Sequence, residues 1–185
     1  MKPLEKYLAY LDSIFQVEPQ FFTEKSLIEG ETDIIGIVYS NMPEPGMVTG
    51  LTYGLSTHAH PDWKLGRPEL CICVRSEDIS WGIVIAYLSN VVRGQFNFSY
   101  GSGLRFNSKI ADDSDMDAFL FFAPSILDKE DYLNIDIGLD YKINLTGVYP
   151  IYESEIDVIK QIGLEFFLSH PDFDLYDVQR KVISI

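Results

Sequence analysis

The chain has 185 residues, 46% of them hydrophobic and 14% aromatic, with 28 acidic against 14 basic side chains and a formal net charge of -14. That length and apolar content suffice for one sizeable buried core, while the charge excludes a general affinity for nucleic-acid phosphates. Apolar runs all stop short of the roughly 18–20 residues of a membrane span, and Met1-Lys2-Pro3-Leu4-Glu5-Lys6 lacks the apolar stretch of a signal peptide.

Leu4, Leu8, Leu11 and Phe15 recur at helical intervals and predict a first helix over Lys2 to Phe15. Ile34 to Tyr39 is a short β-branched run followed by the turn-rich Asn41-Met42-Pro43-Glu44-Pro45-Gly46. From Thr49 to Ser56, Leu51, Tyr53 and Leu55 alternate as in a half-buried strand; Glu69 to Arg75 is nearly continuous in apolar character, as a central strand would be. Trp81, Val84, Ile85, Leu88 and Val91 predict a second helix, with Ser80 as its N-cap and Gly94 beyond its end.

Ala118 to Ala123 reads as a strand closed by Pro124, and Leu133 to Leu139 alternates as another. Asp140-Tyr141-Lys142 is short enough to turn it into a strand opening at Ile143. In that strand Ile143, Leu145 and Tyr149 share one face, and Pro150 is expected to end the ladder for want of an N–H. Glu153 and Glu155 then open a long amphipathic helix carrying Ile156, Ile159, Ile162 and Phe166, followed by a short terminal helix before Ile185. With no linker or repeat to divide it, residues 1–185 are expected to form a single α+β domain with a mixed, largely antiparallel sheet packed by helices.

Candidate chemistry is sparse. His58 and His60 form an H-x-H loop with Asp62 nearby, but a catalytic zinc site needs three protein ligands and a structural one four, so solvated loop histidines are the better reading. Cys71 and Cys73 alternate along one strand, a poor geometry for a disulfide, and read as reduced, buried thiols. Gly101-Ser102-Gly103 lacks the Lys-Ser/Thr pair of a phosphate loop and reads as a turn or bulge. Asp112, Asp113, Asp115 and Asp117 lack the glycine and terminal glutamate of an EF-hand loop. They form either a solvated loop or, with Tyr100 as an aromatic anchor, a docking surface for a basic protein. No nucleophile–base–orienter set stands out.

Five stretches, taken in order, resemble the suppressor-of-fused domain family. They are Thr52-Tyr53-Gly54-Leu55-Ser56; Glu69-Leu70-Cys71-Ile72-Cys73-Val74-Arg75; the helix Trp81 to Val92 with Phe96 to Gly101; Ala118 to Pro124; and Leu145-Thr146-Gly147-Val148-Tyr149-Pro150-Ile151-Tyr152-Glu153-Ser154-Glu155. The match is strongest over residues 45–169. It implies an α+β domain that binds proteins and performs no known chemistry. Animal members add a second domain and grip an extended peptide of a transcription factor; this chain is similar instead to short bacterial members proposed as immunity proteins against polymorphic toxins. Animal members also carry an acidic residue after the glycine aligned with Gly101. Ser102 stands there here, so none of their peptide contacts is carried over.

The resulting expectation is a cytoplasmic, non-enzymatic immunity protein without metal or cofactor, monomeric or homodimeric. It would neutralise a basic toxin domain, such as a nuclease, through Asp112, Asp113, Asp115, Asp117 and Tyr100. The alternatives are a metal-dependent hydrolase using His58 and His60, or a homodimeric scaffold joined through a strand edge.

Overall fold

The computed structural model describes every residue from Met1 to Ile185. Its strands are β1 (Gln20–Glu24), β2 (Ile34–Ser40), β3 (Val48–Tyr53), β4 (Arg67–Val74), β5 (Gly103–Arg105), β6 (Ala118–Phe122) and β7 (Ile143–Ile151). All seven lie in one sheet in the order β1-β2-β3-β4-β7-β6-β5. Neighbours run antiparallel except β4 and β7, which pair in parallel from Arg67↔Ile143 to Ile72↔Val148. Two antiparallel meanders, β1 to β4 and β5 to β7, are thus fused along one parallel seam. The expected mixed, largely antiparallel α+β class is the one that forms.

Both sheet faces are covered, and the alternation of side chains decides what goes where. Helix α2 (Ser80–Val92) lies on one face, where Trp81, Ile85 and Leu88 share a core with Val38, Ile72, Val148 and Phe121. It comes unusually close: a Cβ on Gly50 of β3 would stand 2.5 Å from the Gly82 Cα. The opposite face takes helix α1 (Pro3–Phe15), whose Tyr7, Leu11 and Phe15 pack with Ile37, Leu51, Cys71 and Leu145. Beyond a single turn, α3 (Lys129–Tyr132), helices α4 (Glu153–Ile162) and α5 (Leu164–Leu168) complete that face over Leu120, Tyr149 and Ile151.

Four expectations are corrected. Leu133 to Leu139 is not a strand: Ile135 alone bridges Ile143, exchanging N–H···O bonds of 2.9 and 3.0 Å, and left-handed backbone at Asn134 and Gly138 stops the ladder on either side. Its alternation serves burial, since Ile135 and Ile137 both enter the core. The long helix after Pro150 is broken at Gly163, whose φ of 88° no other residue adopts readily. No terminal helix follows; residues 174–185 run as an irregular strap. Pro150 does not end the ladder outright. Beyond Val148 no β4 partner remains to miss its N–H, yet it still pairs with Phe119 of β6.

Candidate partner-binding surface

The loop motif Thr52 to Ser56 closes around Glu69 of β4. This fully buried carboxylate accepts bonds from the Thr52 hydroxyl (2.6 Å), the Gly54 N–H (2.8 Å), the Ser56 N–H (3.0 Å) and the Ser56 hydroxyl (2.7 Å). Gly54 is required, because at φ 117° a Cβ would sit 2.6 Å from the Asp33 carbonyl oxygen. Buried Arg93, just past α2, donates to the carbonyls of Thr32 (2.7 Å) and Gly54 (3.3 Å) and to the Ser26 hydroxyl (2.6 Å). Burial raises the Glu69 carboxyl above its usual range, against the lowering effect of its four hydrogen bonds. With its lone pairs taken by the chain itself, Glu69 ties the β3–β4 connection to the sheet.

The surface features lie elsewhere, beginning at β5. This strand pairs only with β6 and ends the sheet. The Ser102 carbonyl accepts the Phe121 N–H (3.0 Å) and the Phe106 N–H donates to the Asp117 carbonyl (2.8 Å). Antiparallel alternation therefore turns the N–H and C=O groups of Gly103 and Arg105 outward, away from β6. Beside this edge a cleft of about 490 Å³ runs between Gly101–Arg105 and Ile156, Ile159 and Lys160 of α4. Arg105 also lines a second cleft, with Asp117, Tyr152, Glu153 and Asp157. Tyr152 in turn lines a third, with Lys109, Asp112, Asp113, Asp115 and Gln179. The shared residues place the three side by side as one track, with Leu104, Ile156 and Ile159 between Arg105 and Lys160 at the β5 end and mainly carboxylates at the other.

Placed on this track, the candidate aspartates differ in what they do. Asp113 is half-buried and accepts the Trp81 indole N–H (2.9 Å) and the Ser76 hydroxyl (2.6 Å), which anchors α2. Asp117 accepts the Glu153 N–H (2.7 Å) and so caps α4 from outside the helix. Asp112 and Asp115 are exposed, and Asp115 pairs with Lys109. Tyr100 is half-exposed, its ring 5.3 Å from that of Phe122, next in sequence to Gly101 at the other end of the track. Sequence reasoning overlooked the β5 edge, Arg105, Tyr152, Glu153 and Asp157. The alternation of Gly103 and Arg105 with Leu104 and Phe106 was a signal for the edge, but a short one.

The histidines turn to separate partners. His58 Nδ1 lies 2.9 Å from Glu31, and His60 Nδ1 accepts the Asp62 N–H (3.1 Å). No three His, Cys, Asp or Glu side chains are grouped to hold a metal ion, so the hydrolase alternative finds no ligand set. Both cysteines are free and buried. No helix is long and apolar enough to cross a membrane.

Comparison with solved structures finds the same fold at low sequence identity. A homologue of suppressor of fused from Neisseria gonorrhoeae FA 1090 superposes with a TM-score of 0.71 at 15% identity, over 96% of this chain and 94% of that one. Drosophila Suppressor of Fused gives 0.65 at 11% identity; 97% of this chain is matched, and it spans half (50%) of the Drosophila chain. A chain of the Sufu–Fu complex gives 0.58 at 11% identity, over 98% and 91%. No curated protein matches the sequence. The sequence profile of the suppressor of fused protein (SUFU) family, however, matches residues 30–181, and the chain belongs to that family.

Proposed function

We propose that this protein is a non-enzymatic binding module that holds a basic protein partner along the track from β5 to the aspartate loop. An extended segment of the partner adds to the outward edge of β5, and the carboxylates beyond it select for lysine and arginine. The observation that carries this reading is the adjacency of a free strand edge to clefts lined first by Asp117, Asp157 and Glu153, the last paired with Arg105 (3.0 Å), and then by Asp112, Asp113 and Asp115. A net charge of -14 would steer a basic domain towards it. That a member of the family has been solved as the Sufu–Fu complex supports protein binding as the activity.

In its specific form, the reading is of a cytoplasmic immunity protein, with a toxin domain such as a nuclease as the partner and occlusion of its basic surface as the effect. Calorimetry and inhibition assays against the basic protein encoded beside it test this. Micromolar or tighter binding with loss of the partner's activity is the expected result. Asp112→Lys with Asp115→Lys should slow association about tenfold at low salt. Arg105→Pro, which removes an outward N–H, should speed dissociation. Absence of binding at micromolar concentration would refute the immunity reading; wild-type kinetics in both variants would move the site off the track.

A further inference from the structure

A second surface, of opposite polarity, lies where β4 and β7 begin. One cleft there is lined by Trp63, Lys64, Leu65, Arg67, Tyr141 and Lys142, with Asp140 the only acid among its walls. Three of the chain's 14 basic side chains thus meet in one place, on a molecule with twice as many acids as bases. Lys142 is paired with Asp136, but Lys64 and Arg67 form no ion pair.

Arg67 is fixed: its guanidinium sits 3.9 Å from the Tyr141 ring centroid and donates to the Ser56 carbonyl (3.0 Å). Between it and Lys64 stands Leu65, 89% exposed. The loop is tied on both sides, by the Trp63 indole to the Asn97 carbonyl (2.9 Å) and by the Arg67 N–H to the Lys142 carbonyl (2.8 Å). An apolar side chain is therefore held in water beside two cations without carboxylate partners.

We infer that this cleft binds an acidic segment of a protein, its carboxylates on Lys64 and Arg67 and an apolar side chain on Leu65 and Trp63. Charge complementarity selects the occupant: the unneutralised cations call for an anion, and the leucine and indole call for apolar surface beside it. A nucleic acid fits less well. A phosphate at every nucleotide feels the whole charge of -14, whereas a short peptide brings only the few carboxylates that the cations offset. This surface is independent of the β5 track and takes a partner of the contrary charge.

Tryptophan emission of the intact protein provides the test. The chain has two tryptophans, and Trp81 is fully buried, so a ligand-induced change reports on Trp63. A short blocked peptide of alternating glutamate and leucine should shift that emission to shorter wavelength and bind about tenfold more weakly when salt rises from roughly 50 to 500 mM. Lys64→Glu and Leu65→Ser should each weaken binding about tenfold with the thermal midpoint unchanged, as expected for exposed side chains. The inference fails if millimolar peptide leaves the emission unchanged or both variants bind normally. It also fails if a lysine–leucine peptide, which the β5 track is built to take, or an oligothymidylate gives the same Trp63 shift with equal affinity and loses it in Lys64→Glu.

Discussion

Glu155 at the start of α4 and Arg180 in the C-terminal strap face each other in a forked pair, with Arg180 N–H groups 2.6 and 2.7 Å from the two carboxylate oxygens. Neither side chain reaches solvent, and the same carboxylate also accepts the backbone N–H groups of Tyr152 (3.0 Å) and Ile183 (2.8 Å). One glutamate therefore fixes both the entry to a helix and the last stretch of the chain. Arg180→Met, which strands that carboxylate in the interior, should cost about 3–5 kcal/mol in urea unfolding. Adding Glu155→Gln should recover part of the loss, because it removes the stranded charge while its one amide oxygen still accepts one of the two backbone N–H groups. Hydrogen exchange at the Ile183 amide should rise in the single variant before the sheet amides respond.

Glu69 predicts a particular pH dependence. Its carboxyl is raised in the folded state by burial, so the folded protein takes up a proton at a higher pH than the unfolded chain does. The associated stabilisation is complete below the unfolded pKa and is lost as pH rises through the folded one. Glu69→Gln removes that titration. The stability of the wild type relative to this variant should therefore grow as pH falls through the window between the two pKa values. Denaturation of both proteins in matched buffers cancels the other carboxylates; a flat difference would mean that Glu69 titrates alike in both states.

The glycine contact between α2 and β3 separates two substitutions that look equivalent. A Cβ on Gly50 meets the Gly82 backbone at 2.5 Å, whereas one on Gly82 meets the Val38 methyls at 2.8 and 2.9 Å. Backbone yields only by moving the helix, but a valine can rotate. Gly50→Ala should be the more damaging change, at the upper end of the roughly 1–3 kcal/mol typical of overpacking, and thermal melts of the two variants give the order directly.

Cys71 and Cys73 should be inert in the native protein. Burial holds the Cys71 thiol far above its ordinary range and pushes Cys73 up to about 11. Since the thiolate is the reactive form, a colourless disulfide reagent near neutral pH should label neither until denaturant is added, and then both.

The strength of the periodic signal governed what could be read from the sequence. Helices α1 and α2 and strands β2, β3, β4, β6 and β7 carry enough buried alternation or helical spacing to place themselves within a few residues. The sheet's two edges, β1 and β5, do not; Gln20–Glu24 is largely exposed, and Gly103–Arg105 is too short to repeat. Leu133 to Leu139 shows the opposite failure, a strand-like pattern spent on two buried isoleucines and a single bridge. The acidic loop was legible as a feature, but its division of labour was not. Whether Asp113 meets the Trp81 indole or Asp117 caps α4 depends on how distant elements pack, and local spacing carries no record of that.

The lone parallel seam between β4 and β7 has a consequence for how the molecule assembles. Each meander closes through contacts between consecutive strands, but Arg67 and Ile143 can meet only after the whole intervening chain has been drawn together. Formation of that central join is the step that should set the pace of folding, and slower assembly is what a seam of distant partners entails. Until it zips, both meanders present unpaired inner borders, so crowding of nascent chains should endanger this protein at its middle rather than at its rim.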